Sequence, residues 1–225
     1  MLFRSAKRMV QDPIVLAASR NEMADEQWFK LLARFWGIRR FCYFIYASWG
    51  KTNVWGYHGE YLEADHFIAK QLYDESRQEA ALAELITKKG WVKSEEALYS
   101  HPFAQVTDSA ARYIFWLRGL SKFSVPTRFA GASLSSKVLE HFWMTEMAKA
   151  AHDPGVAAVF STYRGDAHVQ MGKVILSKYV DDSLMERECT WAANCALDLY
   201  LNAMAELATF IGVRDAGVLP SEDNP

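Results

Sequence analysis

The stretch GEYLEADHFIAKQL, Gly59 to Leu72, decides how the rest of the chain is read. Its apolar residues recur at helical spacing, and it sets Glu63 three residues before His66. Residues three apart on a helix are surface neighbours, with Cβ atoms roughly 5–6 Å apart, so one carboxylate and one imidazole can close on a single metal ion. Four-helix bundles build metal sites from this Glu-x-x-His spacing, with matching ligands on the facing helices. A structural reading stands beside it: Glu63 pairs with Arg39 or Arg40, and His66 bonds a tyrosine, since charged residues are usually solvated or paired.

Outward from that stretch, the apolar period is helical almost everywhere and no useful strand alternation occurs. Residues 1–23 read as a lead-in, with Pro13 as a first-turn residue of a small helix. Asp25 and Glu26 open an apolar helix to about Trp49, acids there suiting the positive end of the dipole. Gly50-Lys-Thr-Asn53 reads as stop and restart, so the second helix is expected from about Val54 to Lys89, ending at Gly90. Its half from Asp74 onward alternates charges with Ala and Leu, the pattern of a solvated helix with one buried stripe.

A third segment starts at Ser94 and is interrupted at His101-Pro102, resuming from Ala104 to about Phe123. Helix four is expected at about 130–151, helix five from the His152-Asp-Pro-Gly155 turn to about Tyr179, and a sixth, capped by Asp181-Asp182-Ser183, to near Gly212. The expected fold is therefore an all-α bundle of two antiparallel helix hairpins, 25–89 and 130–179, a long partly helical connection and one extra C-terminal helix. The domain is 24–212, with 213–225 as a loose tail rich in Gly, Pro and acids.

Composition bounds the function. The 225 residues suit one domain, and 51% hydrophobic content supports a large core. A formal charge of −2 with no basic stripe argues against nucleic acid as partner. No apolar run reaches the ~18–20 residues of a membrane span, so no membrane role is expected. Three cysteines, Cys42, Cys189 and Cys195, without C-x-x-C spacing fit a reducing cytoplasm.

His168 is the second candidate. Ser161, Gly165, His168 and Gly172 share one face of the expected helix five. Each interior Gly costs a helix ~1 kcal/mol relative to Ala. Two of them beside an imidazole either leave room for a metal ion, dioxygen or substrate, or let another helix approach closely. A hairpin turning at Asp153 puts His168 level with Val138 to His141, making Glu140 and His141 candidate ligands. Mixed carboxylate and imidazole donors with open positions suit iron or manganese better than zinc.

Glu63-Ala-Asp-His66, followed by Phe67 and Leu72, resembles the second-helix motif of the ferritin-like diiron-carboxylate superfamily, which includes rubrerythrins and diiron oxygenases. Gly165-Asp-Ala-His168 to Gly172 resembles its fourth-helix motif. The family pattern is Glu, Glu-x-x-His, Glu, Glu-x-x-His. This chain has no Glu at the expected depth of the first helix, and Gly165 stands where the last motif's Glu falls. The resemblance implies a ferritin-like bundle with a reduced metal set: Glu63, His66, Glu140 or His141, and His168. Such a set is also similar to the sparser ones of haem-oxygenase-like diiron oxidases. The activity implied is a non-haem iron oxidoreductase or oxygenase with one or two ions. Its expected partners are dioxygen, a small organic substrate and an electron-donor protein. The alternative is a metal-free, degenerate bundle serving as a partner subunit or small-ligand binder. Its apolar helix faces could support a homodimer.

Overall fold

The computed structural model describes residues 12–53 and 62–213, and all of the regular structure in them is helical. The expected loose tail, apart from Val213, and the first eleven residues of the lead-in lie outside the described residues, as do residues 54–61. In order, the helices are α1 (Pro13–Ser19), α2 (Asp25–Asn53), α3 (Leu62–Lys88), α4 (Glu96–Tyr99), α5 (Asp108–Gly119), α6 (Val125–Gly131), α7 (Lys137–Ala150), α8 (Pro154–Ser161), α9 (Gly165–Tyr179) and α10 (Ser183–Phe210). No described helix is long and apolar enough to cross a membrane.

Local chemistry explains most boundaries. Asp12 caps α1 by accepting from the Ile14 N–H at 2.9 Å, with Pro13 in the first turn as expected. Asp182 caps α10 through the Met185 N–H at 2.7 Å. Gly90 and Gly212, after α3 and α10, have φ of +72° and +78°, a left-handed conformation that glycine adopts without a Cβ penalty.

Two boundaries differ from the sequence expectation. The first helix does not stop at Gly50 but is helical through Asn53, and the next is described from Leu62, its expected start at about Val54 lying outside the described residues. The hairpin therefore pivots later than Lys51, and Arg39 lies level with Glu75 rather than Glu63. The expected fifth helix is two helices, α8 and α9, separated at Thr162–Arg164, where Arg164 leaves helical geometry at φ −103° and ψ 37°. Ser161 consequently shares no helix face with His168.

Helices α6 and α7 are one rod interrupted by a π turn at Ala132–Ser136. The hydroxyls of Ser135 and Ser136 bond the carbonyls of Gly131 and Ala132 at 2.8 and 3.1 Å. Such back-bonding competes with the backbone ladder, and an extra residue in one turn re-aims every side chain that follows. After the turn, Lys137, Glu140, Trp143, Met144 and Met147 face the interior.

The core lies where α2 packs on α3, α10 on α5 and α6, and α7 on α8 and α1. Helix α1 is part of it rather than a detached leader: Ile14, Val15 and Ala18 are buried, and the indole of Trp143 donates to Asp12 at 3.2 Å.

Candidate functional site

The buried stripe of α3 runs Ala64, Ile68, Gln71, Glu75, Gln78, Leu82 and Ile86, at helical steps of three and four. Three of its residues are polar, and Glu75 sits at the centre of the bundle. Facing it, the stripe of α2 runs Leu32, Phe35, Arg39, Cys42, Tyr46 and Trp49. Arg39 donates to Glu75 at 2.8 Å and to Glu140 of α7. Lys137 donates to Glu140 at 2.8 Å and to Glu75. The four side chains close a ring in which each cation bridges both carboxylates. The Tyr163 hydroxyl, at the break between α8 and α9, donates to Glu140 as well. The ring is formally neutral.

Burial would push the Glu75 carboxyl up, but Arg39 and Lys137 outweigh it and hold the group at about 2. The Lys137 ammonium is pulled below its ordinary value by burial, against the opposing effect of Glu75. Burial pushes the Cys42 thiol up to about 11 and the Tyr46, Tyr113, Tyr163 and Tyr200 hydroxyls above their usual range. Cys42 is therefore a neutral core thiol.

Beside the ring lies a small cavity of about 30 Å³, bordered by Phe35, Arg39 and Cys42 of α2, Tyr113 of α5, Lys137 and Glu140 of α7, and Tyr200 of α10. The outer side of the same α2–α5 seam opens as a groove of about 640 Å³. It is lined by Phe41, Phe44 and Ile45 of α2 and by Ile114, Phe115 and Arg118 of α5. Sequence neighbours on the two helices divide between the two spaces, Phe41 and Ile114 lining the groove and Cys42 and Tyr113 the cavity.

The five residues expected to hold a metal have separate surroundings. Glu63 accepts from Lys178 and from the Tyr179 hydroxyl at 2.8 Å, at the end of α9. It does not reach Arg39 or Arg40, because the later pivot moves it away from them. His66 is exposed, its ring tilted on Phe67. Both oxygens of Glu140 belong to the ring. His141 is half-buried, with its Cβ beside Gly165. His168 is 1% exposed, with Nε2 at 3.1 Å from Asp74 Oδ2 and Nδ1 without a partner among the described residues. Among the described residues, no group of three or more His, Cys, Asp or Glu is placed to hold a metal ion. A cation at Glu140 would have to displace Arg39 and Lys137, so these residues do not fit the expected ion.

The antiparallel register of α7 and α9 is as the Asp153 turn implies. A Cβ on Gly165 would meet His141, and one on Gly172 would lie 2.7 Å from the Ser133 Cβ. The glycines thus serve close helix approach, and the room they offered to a ligand beside His168 is filled by α7 and the π turn. Arg39, Glu75 and Lys137 were absent from the sequence candidates. The signal that marks them is a polar residue recurring in an otherwise apolar stripe.

No family model matches the chain, and comparison with curated proteins finds no match. Among solved structures, the fold is similar to that of a TenA homologue from Pseudomonas syringae pv. tomato str. DC3000. The TM-score is 0.71 at 13% identity, over 92% of this chain and 88% of that one. This likeness concerns the fold alone, a TenA-like all-helical arrangement, and it overturns the ferritin-like assignment. The Glu-x-x-His motif misled because helical spacing alone does not set which face of α3 is inward. Glu63 and His66 lie off the stripe that carries Glu75.

Proposed function

We propose that the protein is a metal-independent binder of a small organic molecule that seats at the α2–α5 seam. The observation that carries this reading is that helices α2 and α5 border both a mostly apolar groove on the outside and a small cavity on the inside, where Arg39, Lys137, Glu140 and Tyr200 add a few polar groups. Ligand sites are typically concave, mostly apolar and ~300–1,000 Å³, with a few fixed polar groups. The groove supplies the apolar volume, and the ring with its cavity supplies the fixed polar end. Metal independence follows from the ring's pairing, since its carboxylates are already neutralised by Arg39 and Lys137.

Titrating full-length protein with the neutral apolar dye Nile red tests the seat. Saturable binding is expected, weakened at least about tenfold in Phe44→Asp and unchanged in Leu184→Asp, whose side chain is exposed on α10. Equal binding in wild type and Phe44→Asp would overturn the seat. Stoichiometric iron in the purified protein, lost in His168→Ala, would overturn the metal independence.

A further inference from the structure

We infer that the molecule held at this seam presents an uncharged carbonyl oxygen to Arg39 and Tyr200, an inference that rests on the binding reading above. The cavity beside the ion-pair ring is bordered by both residues. Arg39 is 1% and Tyr200 6% exposed, yet Arg39 Nε and the Tyr200 hydroxyl have no hydrogen-bond partner among the described residues. Leaving a buried polar group unpaired forfeits its hydration with nothing in return. Two such groups on the border of one small void mark it as a place for a third, polar atom.

The chemistry of that atom follows from its hosts. A guanidinium N–H can only donate. Burial keeps the Tyr200 phenol protonated, so it too has a proton to give. Two unpartnered donors carried by residues that border one void call for an acceptor oxygen. The remaining groups decide its charge. Arg39 and Lys137 are balanced by Glu75 and Glu140, so a carboxylate entering the cavity would be a buried anion with no cation left to neutralise it. A ketone, aldehyde or amide oxygen accepts the same two hydrogen bonds without that penalty. At about 30 Å³ the cavity has room for a water-sized group. The oxygen therefore goes in, and the carbon skeleton extends from it along helices α2 and α5, which border both cavity and groove.

The test compares acetophenone, ethylbenzene and benzoate, titrated on the full chain by calorimetry, with Nile red competition as the common readout. Acetophenone is expected to bind at least about tenfold more tightly than the other two. In Tyr200→Phe its affinity should fall to within about twofold of ethylbenzene's, while the thermal midpoint does not drop, because the hydroxyl removed is unpaired in the free protein. In Tyr46→Phe, which also removes an unpaired buried hydroxyl but one that does not border the cavity, the acetophenone preference should persist. Equal affinities for acetophenone and ethylbenzene, with Nile red still binding, would leave the seat intact and overturn the oxygen site, the cavity then holding an ordered water only. Tightest binding by benzoate would overturn the charge argument. Failure of Nile red to saturate would overturn the seat itself.

Discussion

Glu75 and Glu140 stand on different helices and are held by the same two cations, Arg39 and Lys137, so that no member of the four can be removed without leaving a buried charge unbalanced. Breaking a buried pair by deleting one partner typically costs ~3–5 kcal/mol, whereas replacing the whole set by packed apolar residues is often neutral or stabilising. Lys137→Met should therefore lower the unfolding free energy by about 3–5 kcal/mol in urea titrations. The fourfold variant Arg39→Met, Glu75→Leu, Lys137→Met, Glu140→Leu should lose less than the single one. A loss below about 1 kcal/mol in Lys137→Met would show that the ring does not govern stability.

Acidification should destabilise the protein in two stages. His168 is held down at about 4 instead of 6.5, by burial first and by Lys137 second. The unfolded chain therefore takes this proton before the folded one does. The stabilisation is complete above pH 6.5 and is lost as pH falls to about 4, on the order of 3 kcal/mol. Glu75, at about 2 instead of 4.5, contributes a second loss of similar size as pH falls from 4.5 toward 2. Urea midpoints followed from neutral pH downward should show both declines, and His168→Gln should remove only the upper one. A midpoint that stays level from pH 7 to 4.5 would contradict the burial of a neutral imidazole.

The two histidines that looked most like ligands should behave oppositely. His66 is exposed, and His66→Ala should change stability by no more than about 0.5 kcal/mol. His168 is buried against Asp74, and His168→Ala should cost about 2–5 kcal/mol through the void and the lost hydrogen bond. Equal effects of the two in thermal melts would refute this placement.

Glycines separate in the same way. A Cβ on Gly37 would collide with the backbone carbonyl of Ala104, which cannot rotate aside. Gly37→Ala is expected to cost about 1–3 kcal/mol, the range for overpacking a tight contact. A Cβ on Gly119 meets nothing within 4 Å, and its φ is −58°. Gly119→Ala should stabilise by about 0.4–1 kcal/mol, by restricting the unfolded chain. Differential scanning calorimetry of the pair should therefore give shifts of opposite sign.

The helical class was legible because periodicity is a property of single segments, and so were stops such as Gly90 and Gly212, the first-turn Pro13 and the cap at Asp182. What stayed hidden depends on partners. Glu75 lies in a half-helix of alternating charges and reads as solvated until Arg39 and Lys137 are found opposite it. Gly50 reads as a terminator, yet α2 continues past it, and that shift of the pivot moves Glu63 out of reach of Arg39. The separation of α8 from α9 at Thr162–Arg164 carries no proline and no left-handed glycine, so nothing local announced it.

The serine-rich widening at Ala132–Ser136 sets the phase of everything downstream on its rod. One residue corresponds to ~100° of rotation in an ordinary helix. Excising a single serine there would let the rod rewind evenly and swing the Lys137 and Glu140 side chains out of the bundle interior. The length of this short segment, more than the identity of its residues, determines whether the molecule has a charged centre at all.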